Sequence, residues 1–232
     1  MKMKRLLVFA LALFCLPAFA QKPGDRNVQK IEKLVLKKRQ KYTFQGRDSM
    51  ATIVIDTLIM ADRSSLLFPG KKELKLVLNY ASIGEECLLS GNDGKNNGTS
   101  LTLSANFAKL KHLVIDVPGL DAKMSNRKYD NGDGGKVTLN YLAGGIKPQL
   151  SDPNKAGYIE INTRAGGYLT NAQTDLYAVY SRLNSGVPGR PLSQLPNGRV
   201  FSGGLGREGK ASVKEVASLS PDSVQEKSTK EM

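Results

Sequence analysis

The sequence predicts an all-β protein, a short right-handed β-solenoid or β-helix-like stack built from units of about 20 residues. Apolar and polar residues alternate with a period of two along several segments, which is the pattern of β-strands. Similar segments recur along the chain, and each ends in Gly. Polar loops rich in Gly, Asn and Asp separate them, as expected for turns between strands.

Three consecutive segments of nearly equal length carry the repeat: 52–70, 73–91 and 100–119. They superimpose when position 52 is placed on 73 and position 73 on 100, with one residue inserted later in the third segment. Apolar residues then align in columns, as stacked coils require, because one coil alone cannot bury its own face. The columns are Ile53, Leu74 and Leu101; Ile55, Leu76 and Leu103; Ile59, Tyr80 and Phe107; Leu66, Cys87 and Ile115; Phe68, Leu89 and Val117.

Each segment is interpreted as two strands with a bend between them. In the second segment, Leu74, Leu76 and Leu78 fall on one face of a strand, with Lys75 on the other. An antiparallel β-sandwich is the alternative, because closely spaced short strands also predict that fold. We favour the solenoid because of the columns. Further strands and an imperfect first unit are predicted at 34–36, 42–44, 136–141 and 158–163.

Composition divides the chain into four regions. They are a signal peptide at 1–20, a basic N-terminal segment or cap at 21–50, the β-repeat domain at 51–186, and a mostly disordered tail at 187–232. A short helix is predicted over 174–183, where it would cover the second end of the stack. The tail is rich in Gly, Pro, Ser and Lys, and 211–216 is its one weak strand candidate.

The N-terminal residues have the pattern of a secretory signal peptide. Three basic residues among the first five precede the apolar run Leu6–Leu16, and Ala-Phe-Ala directly precedes Gln21. Lipid attachment at Cys15 is disfavoured because the bulky Phe14 precedes it. Cleavage before Gln21 would lower the net charge from +13 to +10 and leave no transmembrane segment. The expected location is periplasmic, outer-membrane-associated or secreted.

Several strings also resemble a known group of proteins. DTLIMADRSSLLF, and LVLNYASIGEECLLSG running into NDGKNNG, resemble exported bacterial β-repeat proteins of unknown function that carry Gly-rich, often collagen-like, interspersed segments. NGDGGKVTLNY and VPGRPLSQLPNGRVFSGGLGREGK are similar to the same group, so that the resemblance covers about residues 45–216. It implies an exported β-repeat protein and supplies no catalytic residue. The chain departs from the group after Gly119, where LDAKMSNRKYDNGD replaces a run of Gly triplets.

Clustered carboxylates raise an enzymatic alternative, a carbohydrate-active β-helix lyase or hydrolase acting on acidic polysaccharide. Asp116, Asp121, Asp130 and Asp133 lie close together in sequence, and glycoside cleavage commonly uses two carboxylates. The chain has no Trp, although sugar sites usually offer aromatic platforms. We therefore assign no catalytic residue and expect a protein that is not an enzyme.

Neither a cofactor nor a metal site is predicted. His112 is the only His, and Cys87 is the only Cys after signal cleavage, so a standard zinc site cannot be assembled. Cys87 is expected to be a small core residue. The acidic loop 130–135 lacks the ligand spacing and the closing Glu of an EF-hand.

The chain has more basic than acidic residues, with a net charge of +13, and this excess points to an anionic partner such as a glycan or another envelope polymer. Nucleic acid is not expected for an exported protein. The leading hypothesis is a non-enzymatic structural or interaction protein of the cell envelope, and a binding module for anionic envelope polymers is a further alternative. The predicted anionic-ligand strip comprises Lys37, Lys38, Arg39, Lys71, Lys72 and Lys75.

Overall fold

Parallel β-strands make up the described part of the chain, which in this computed structural model comprises residues 28–122, 129–168 and 205–219. No helix occurs within these ranges. The strands, in chain order, are β1 Val28–Leu36, β2 Lys41–Thr43, β3 Met50–Met60, β4 Ser65–Pro69, β5 Glu73–Ile83, β6 Cys87–Asn92, β7 Ser100–Leu110, β8 His112–Asp116, β9 Val137–Leu142, β10 Tyr158–Asn162 and β11 Ala211–Val216.

The strands alternate between two sheets. Sheet A has six strands in the order β1-β3-β5-β7-β9-β11, and sheet B has five in the order β10-β8-β6-β4-β2. Every pairing between these strands is parallel. Each coil of the chain therefore adds one strand to each sheet and comes to lie on the coil before it. This is a β-solenoid, as predicted, whereas the antiparallel sandwich would have required the opposite pairing.

Aliphatic side chains stacked between the two sheets form the core. In sheet A, Leu76 is fully buried and pairs with Ile53 on one side and Leu103 on the other, and Leu103 pairs with Leu139. Burying one such side chain stabilises the fold by about 1.5–3 kcal/mol. Because each coil repeats the contribution, the core runs along the stack. Sheet B supplies the facing column of Leu66, Leu89, Ile115 and Ile161.

The register between the first two repeat segments differs from the prediction. Ile53 pairs with Leu76, and not with Leu74 as the alignment of the segments predicted. The observed and predicted registers differ by one full period of a strand, so both place Ile53 and Leu76 on the buried face. The predicted column of Ile59 and Tyr80 is wrong, because Tyr80 is 45% exposed and Leu58 pairs with Ala81 on the buried face in its place. The terminal Gly residues that suggested the predicted register do not stack, since Pro69 pairs with Asn92.

The register between the second and third segments is correct over the first part of the sheet A strands, but it is wrong at Phe107, which pairs with Ala81 and not with Tyr80, and it is wrong in sheet B. Leu74 pairs with Leu101, as predicted. In sheet B, however, Cys87 pairs with Leu113 and not with Ile115. The third segment is therefore shorter than the second at this point, where an inserted residue was predicted. The β5–β7 pairing has its own local irregularity around Ala81 and returns to the first register where Ser82 pairs with Lys109.

Coils begin within the segment predicted as a cap. β1 and β2 form the imperfect first unit that the apolar residues predicted, and Leu36 and Phe44 are buried there. Phe44 stacks on Phe68 of the next coil with ring centroids 4.9 Å apart. The first coil is therefore packed on the second through this aromatic pair and through aliphatic pairs in sheet A, such as Ile31 with Ile55 and Leu34 with Leu58.

Residues 211–216, the weak strand candidate, form β11 and pair with β9 throughout. This part of the predicted tail is the sixth strand of sheet A. The signal peptide, the helix predicted over 174–183 and the remainder of the tail lie outside the described residues.

Two kinds of corner connect the strands. At the first, between a sheet A strand and the following sheet B strand, Arg39, Arg63 and Glu86 adopt positive φ angles of 60°, 59° and 50°. The backbone N–H of Arg39 donates to the carbonyl of Asp62 (3.0 Å), and that of Arg63 donates to the carbonyl of Glu85 (2.8 Å). Successive tight corners therefore stack on one another like the strands that they join.

At the second corner, between a sheet B strand and the following sheet A strand, the backbones of Gly-rich segments pack directly against one another. The segment 132–135 is central: Gly132 donates to the carbonyl of Leu120 (3.0 Å) and Gly135 to that of Val117 (2.8 Å), while Gly166 donates to Gly132 (2.8 Å). A Cβ atom at Gly132 would overlap the carbonyl of Asn96. Only Gly allows so close an approach, so the acidic loop 130–135 is a packed element of the fold.

Replacement of Leu76 by Ala is expected to lower the free energy of unfolding by about 2–5 kcal/mol, because it leaves a cavity in the stacked column. Its exposed neighbour Lys75 provides the control, and Lys75→Ala should change the free energy by less than about 0.5 kcal/mol. Denaturant unfolding measures both. Equal, small losses for the two variants would mean that Leu76 is not in the core.

Candidate functional site

The six residues of the predicted anionic-ligand strip lie at the two ends of sheet A. Lys37, Lys38 and Arg39 follow β1, whereas Lys71 and Lys72 precede β5 and Lys75 is its third residue. The long strands of this sheet have 11 residues, which corresponds to about 35 Å at 3.2–3.4 Å per residue. The structure therefore does not bring the six residues together into one strip.

Lys71 is not a surface residue, which corrects its assignment to a solvent-facing strip. Its exposed fraction is 4%, and its Nζ donates hydrogen bonds to the carbonyls of Gly46 (3.2 Å) and Asp48 (2.7 Å). The loop that follows β2 surrounds the ammonium. Lys72 and Lys75 are exposed, as predicted.

A group of charged side chains at the first corner is the better candidate surface. The corner is shared because Leu36, Met60, Ile83 and Leu110, the last residues of β1, β3, β5 and β7, lie side by side. We call this group the charged corner: Lys37, Lys38, Arg39, Asp62, Arg63, Glu85, Glu86, Lys109 and Lys111.

Ion pairs link neighbouring coils within the charged corner. Arg63 Nε lies 2.7 Å from Glu86 Oε2, and Lys111 Nζ lies 3.1 Å from Glu85 Oε1. Both pairs are exposed, so each contributes at most about 1 kcal/mol. They orient the side chains more than they stabilise the fold.

Asp62 shows how stacking concentrates charge at this corner. Its pKa is lowered, first by the backbone N–H of Glu85, which donates to Oδ1 at 3.0 Å, and then by nearby ammonium groups. Those groups belong to Lys111, Lys38 and Lys109. Sequence reasoning selected Lys38 but not Lys109 or Lys111, because only the strand register shows that they share a corner.

The four clustered carboxyl residues take part in structural hydrogen bonds at the second corner. Asp116 Oδ1 accepts from Asn162 Nδ2 at 2.7 Å, and Asp121 Oδ1 accepts from the backbone N–H of Gly167. The carbonyl of Asp130 accepts from the Asn96 amide at 3.0 Å. Side-chain hydrogen bonds therefore add to the backbone hydrogen bonds that hold the second corner together.

Asp133 has the most extensive interactions of the four. Its carboxylate accepts from Arg207 through the backbone N–H (2.7 Å), Nε (3.0 Å) and Nη2 (2.8 Å). The backbone N–H of Arg207 is the first cause, and the guanidinium the second, of a lowered pKa at Asp133. A general acid needs a pKa raised toward the working pH, so this carboxylate is suited to holding the segment before β11 and not to donating a proton.

Cys87 and His112 both lie at starts of sheet B strands. Cys87 is fully buried, as predicted, and desolvation is the main cause of its raised pKa. His112 contacts Tyr158 with ring centroids 4.9 Å apart, and its Nε2 lies 3.9 Å from Glu160 Oε2.

Within the ranges that the structure describes, no three His, Cys, Asp or Glu side chains are grouped to hold a metal ion.

The Asp133–Arg207 pair predicts a specific acid sensitivity. A carboxyl group whose pKa is lowered in the folded state stabilises the fold above the ordinary Asp value of 3.8 and loses that contribution as the pH falls through the lowered value. Asp133→Asn should reduce stability at pH 7 and flatten its decline below about pH 4. Thermal unfolding from pH 2 to 7 measures this.

Arg207→Gln is the control, since it removes the guanidinium hydrogen bonds to Asp133 and keeps the backbone N–H that also donates to this carboxylate. The double variant should be no less stable than Asp133→Asn if the pair is the whole effect. Two results would contradict the assignment. One is a loss of stability in the double variant that equals the sum of the single losses. The other is an Asp133→Asn variant whose stability falls as steeply below about pH 4 as that of the unmodified protein.

Comparison of the chain with protein-family models, curated proteins and solved structures gives no match. The resemblance to exported β-repeat proteins therefore remains an expectation from the sequence. The parts of the chain that the structure describes contain no helix with the length and apolar character needed to cross a membrane.

Proposed function

We propose that the protein is an exported, non-enzymatic structural or interaction protein of the cell envelope, and that its β-solenoid presents the charged corner to an anionic polymer. The observation that carries the proposal is the convergence of basic side chains from separate coils on one corner of a rigid stack. Lys37, Lys38 and Arg39 come from the first coil, and Lys109 and Lys111 from the fourth.

The charge at this corner is only partly neutralised. Arg63 and Lys111 have carboxylate partners, whereas Lys37, Lys38 and Arg39 have none within 4.0 Å among the described residues. All three side chains are exposed and carry their charge into solvent. A surface of this kind attracts polyanions through long-range electrostatics that salt screens.

The spacing of the coils also suits a polymer. Adjacent strands are about 4.8 Å apart, so the basic groups of the first and fourth coils are about three strand spacings apart, with Glu85 and Glu86 of the third coil between them. A chain with repeated acidic groups would contact the first and fourth coils at once, and the contacts reinforce one another. The signal-peptide pattern directs this surface to the envelope, where acidic glycans and lipid head groups are the available polyanions.

Paired charge reversals at the two ends of sheet A test the proposal. The double variant Lys37→Glu, Lys38→Glu should elute from a column of heparin or purified acidic glycan at clearly lower salt than the unmodified protein, because it reverses unneutralised charges at the corner. The matched control is Lys72→Glu, Lys75→Glu, which makes the same change in net charge at the opposite end.

The proposal requires that the two double variants differ and that both remain folded in circular dichroism. An equal decrease in elution salt for both would show retention by net charge alone. Unchanged elution of the Lys37→Glu, Lys38→Glu variant would exclude the charged corner as the binding surface.

A further inference from the structure

We propose that Tyr80 is the platform of a sugar-binding surface on the outer face of sheet A, where its ring packs against the sugar rings of an acidic polysaccharide. The inference rests on the proposed function and narrows the anionic polymer of that proposal to a glycan. The surface lies inside the sheet and not at one of its ends, because β5 has β3 on one side and β7 on the other.

The first observation is an aromatic side chain exposed to solvent in the middle of the sheet. Tyr80 is 45% exposed, while Leu78 and Ala81 of the same strand are buried. A tyrosine combines an apolar ring with a polar hydroxyl, and tyrosines are enriched in binding surfaces for this reason. The outer face of sheet A therefore presents a flat apolar ring to a ligand.

A bulge-like shift in strand pairing accompanies the outward position of Tyr80. The β5–β7 register shifts between Leu78 and Ala81, so that two residues of β5 lie opposite one residue of β7. The two residues are Asn79 and Tyr80, and both are exposed. Irregularities of this kind often re-aim a side chain beside a functional site. The backbone itself therefore directs the tyrosine away from the core.

The neighbours of Tyr80 leave its ring accessible. The β3–β5 pairing keeps one register on both sides of this position, which places Thr57 beside Tyr80. On the β7 side, the shifted pairing places Asn106 beside it. Both neighbours have shorter side chains than tyrosine, so the ring extends beyond them. A flat ligand can therefore reach the ring from solvent.

Oriented polar groups border the ring. Asn79 Nδ2 donates to Asp56 Oδ1 at 2.7 Å, and Lys30 Nζ lies 3.5 Å from Asp56 Oδ2. A carboxylate accepts about four hydrogen bonds and an amide makes about four, so both groups keep capacity for a ligand. An aromatic face bordered by an amide and a carboxylate matches a sugar, which has apolar C–H groups on its ring faces and hydroxyls at its rim.

Basic residues flank the ring at distances that a polymer can span. Lys33 pairs with Thr57, and its strand is two strand spacings, about 10 Å, from that of Tyr80. On the other side, Lys109 pairs with Ser82, two positions after Tyr80. Both lysines are exposed, and Lys109 belongs to the charged corner. A polysaccharide seated on the ring can therefore place carboxylates of neighbouring sugars near these ammonium groups.

The same surface favours a glycan over an anionic membrane. Val35 and Ile59 continue the apolar surface toward the charged corner, and a lipid bilayer would contact them as well. An acyl chain, however, would leave the Asp56 carboxylate and the Asn79 amide without water, which costs free energy. The carboxylate would also repel anionic head groups, whereas sugar hydroxyls donate to it. The surface is therefore suited to a hydroxyl-rich polymer.

Binding of the full chain to two immobilised polyanions, measured by biolayer interferometry, tests the platform. Polygalacturonate carries carboxylates on sugar rings, and polyphosphate carries charge without a ring. The decisive variant is Tyr80→Thr, because Thr57 occupies the same position in the preceding coil and the fold accepts it there. Tyr80→Phe keeps the ring, and Tyr168→Ala removes an exposed tyrosine elsewhere, after β10 of sheet B.

Tyr80→Thr should weaken binding to polygalacturonate about tenfold, which is the loss expected when a central aromatic contact of an interface is removed. Its binding to polyphosphate should change by less than about twofold, because the charges are unaltered. Tyr80→Phe and Tyr168→Ala should bind both polymers as the unmodified protein does. Circular dichroism verifies that each variant is folded.

Three results would overturn the platform. They are unchanged binding of Tyr80→Thr to polygalacturonate, an equal loss on both polymers, and a loss in Tyr80→Phe as large as that in Tyr80→Thr. Vesicles of phosphatidylglycerol form a further arm. If Tyr80→Thr weakens binding to the vesicles as much as to polygalacturonate, or weakens binding to the vesicles alone, the glycan is overturned as the ligand of this ring.

The outcomes separate this inference from the proposed function. Binding to polyphosphate but not to polygalacturonate would leave the proposed function standing and overturn the platform. Binding to neither polymer would overturn both. Polygalacturonate binding that falls in Tyr80→Thr but not in the Lys37→Glu, Lys38→Glu variant would support the platform and exclude the charged corner.

Discussion

The whole structure depends on the burial of aliphatic side chains that stack, one coil on the next, between two parallel sheets. The column Ile53, Leu76, Leu103 and Leu139 is held at a single strand spacing by backbone hydrogen bonds on both sides. No coil could bury these side chains alone, so the stack is stable only as a unit. The charged side chains and the Gly-rich segments lie at the corners, outside these columns.

Stacking also brings distant residues together. Lys38 and Lys109 are far apart in the chain, yet both influence the pKa of Asp62 at the charged corner. At the opposite corner the same principle brings Gly-rich segments into backbone contact, and Asp133 ties one of them to Arg207. Stacking likewise brings the loop after β2 over the ammonium of Lys71, which belongs to a later coil.

The alternation of apolar residues predicted the strands, the stack and most of the buried faces, but not the change of buried face inside β3 and β5, where Leu58 and Ala81 are buried and Tyr80 is exposed. It could not determine whether Ile53 pairs with Leu74 or with Leu76, since a strand period of two makes these registers equivalent in hydrophobicity, and the terminal Gly residues favoured the wrong one. Lys71 was assigned to a solvent-facing strip because it belongs to the same basic cluster as Lys72 and Lys75. Its burial depends on carbonyls of a loop on the preceding coil, a contact without a local sequence signal. The close backbone packing of Gly132 and Gly135 was not predicted either, because it also depends on segments that are distant in the sequence.

The most direct test of the stacked register is a distance between spin labels on the outward-facing row of sheet A. Thr52 pairs with Lys75, Lys75 with Thr102, Thr102 with Thr138, and Thr138 with Ser212. Labels are placed at Thr52→Cys and Ser212→Cys in a Cys15→Ser background that retains the buried Cys87. Double electron–electron resonance should give a distance of about 19 Å, because the two positions are four strand spacings of about 4.8 Å apart. A narrow distribution at that distance supports the β-solenoid with β11 as its last sheet A strand, and a distance beyond about 30 Å would contradict it.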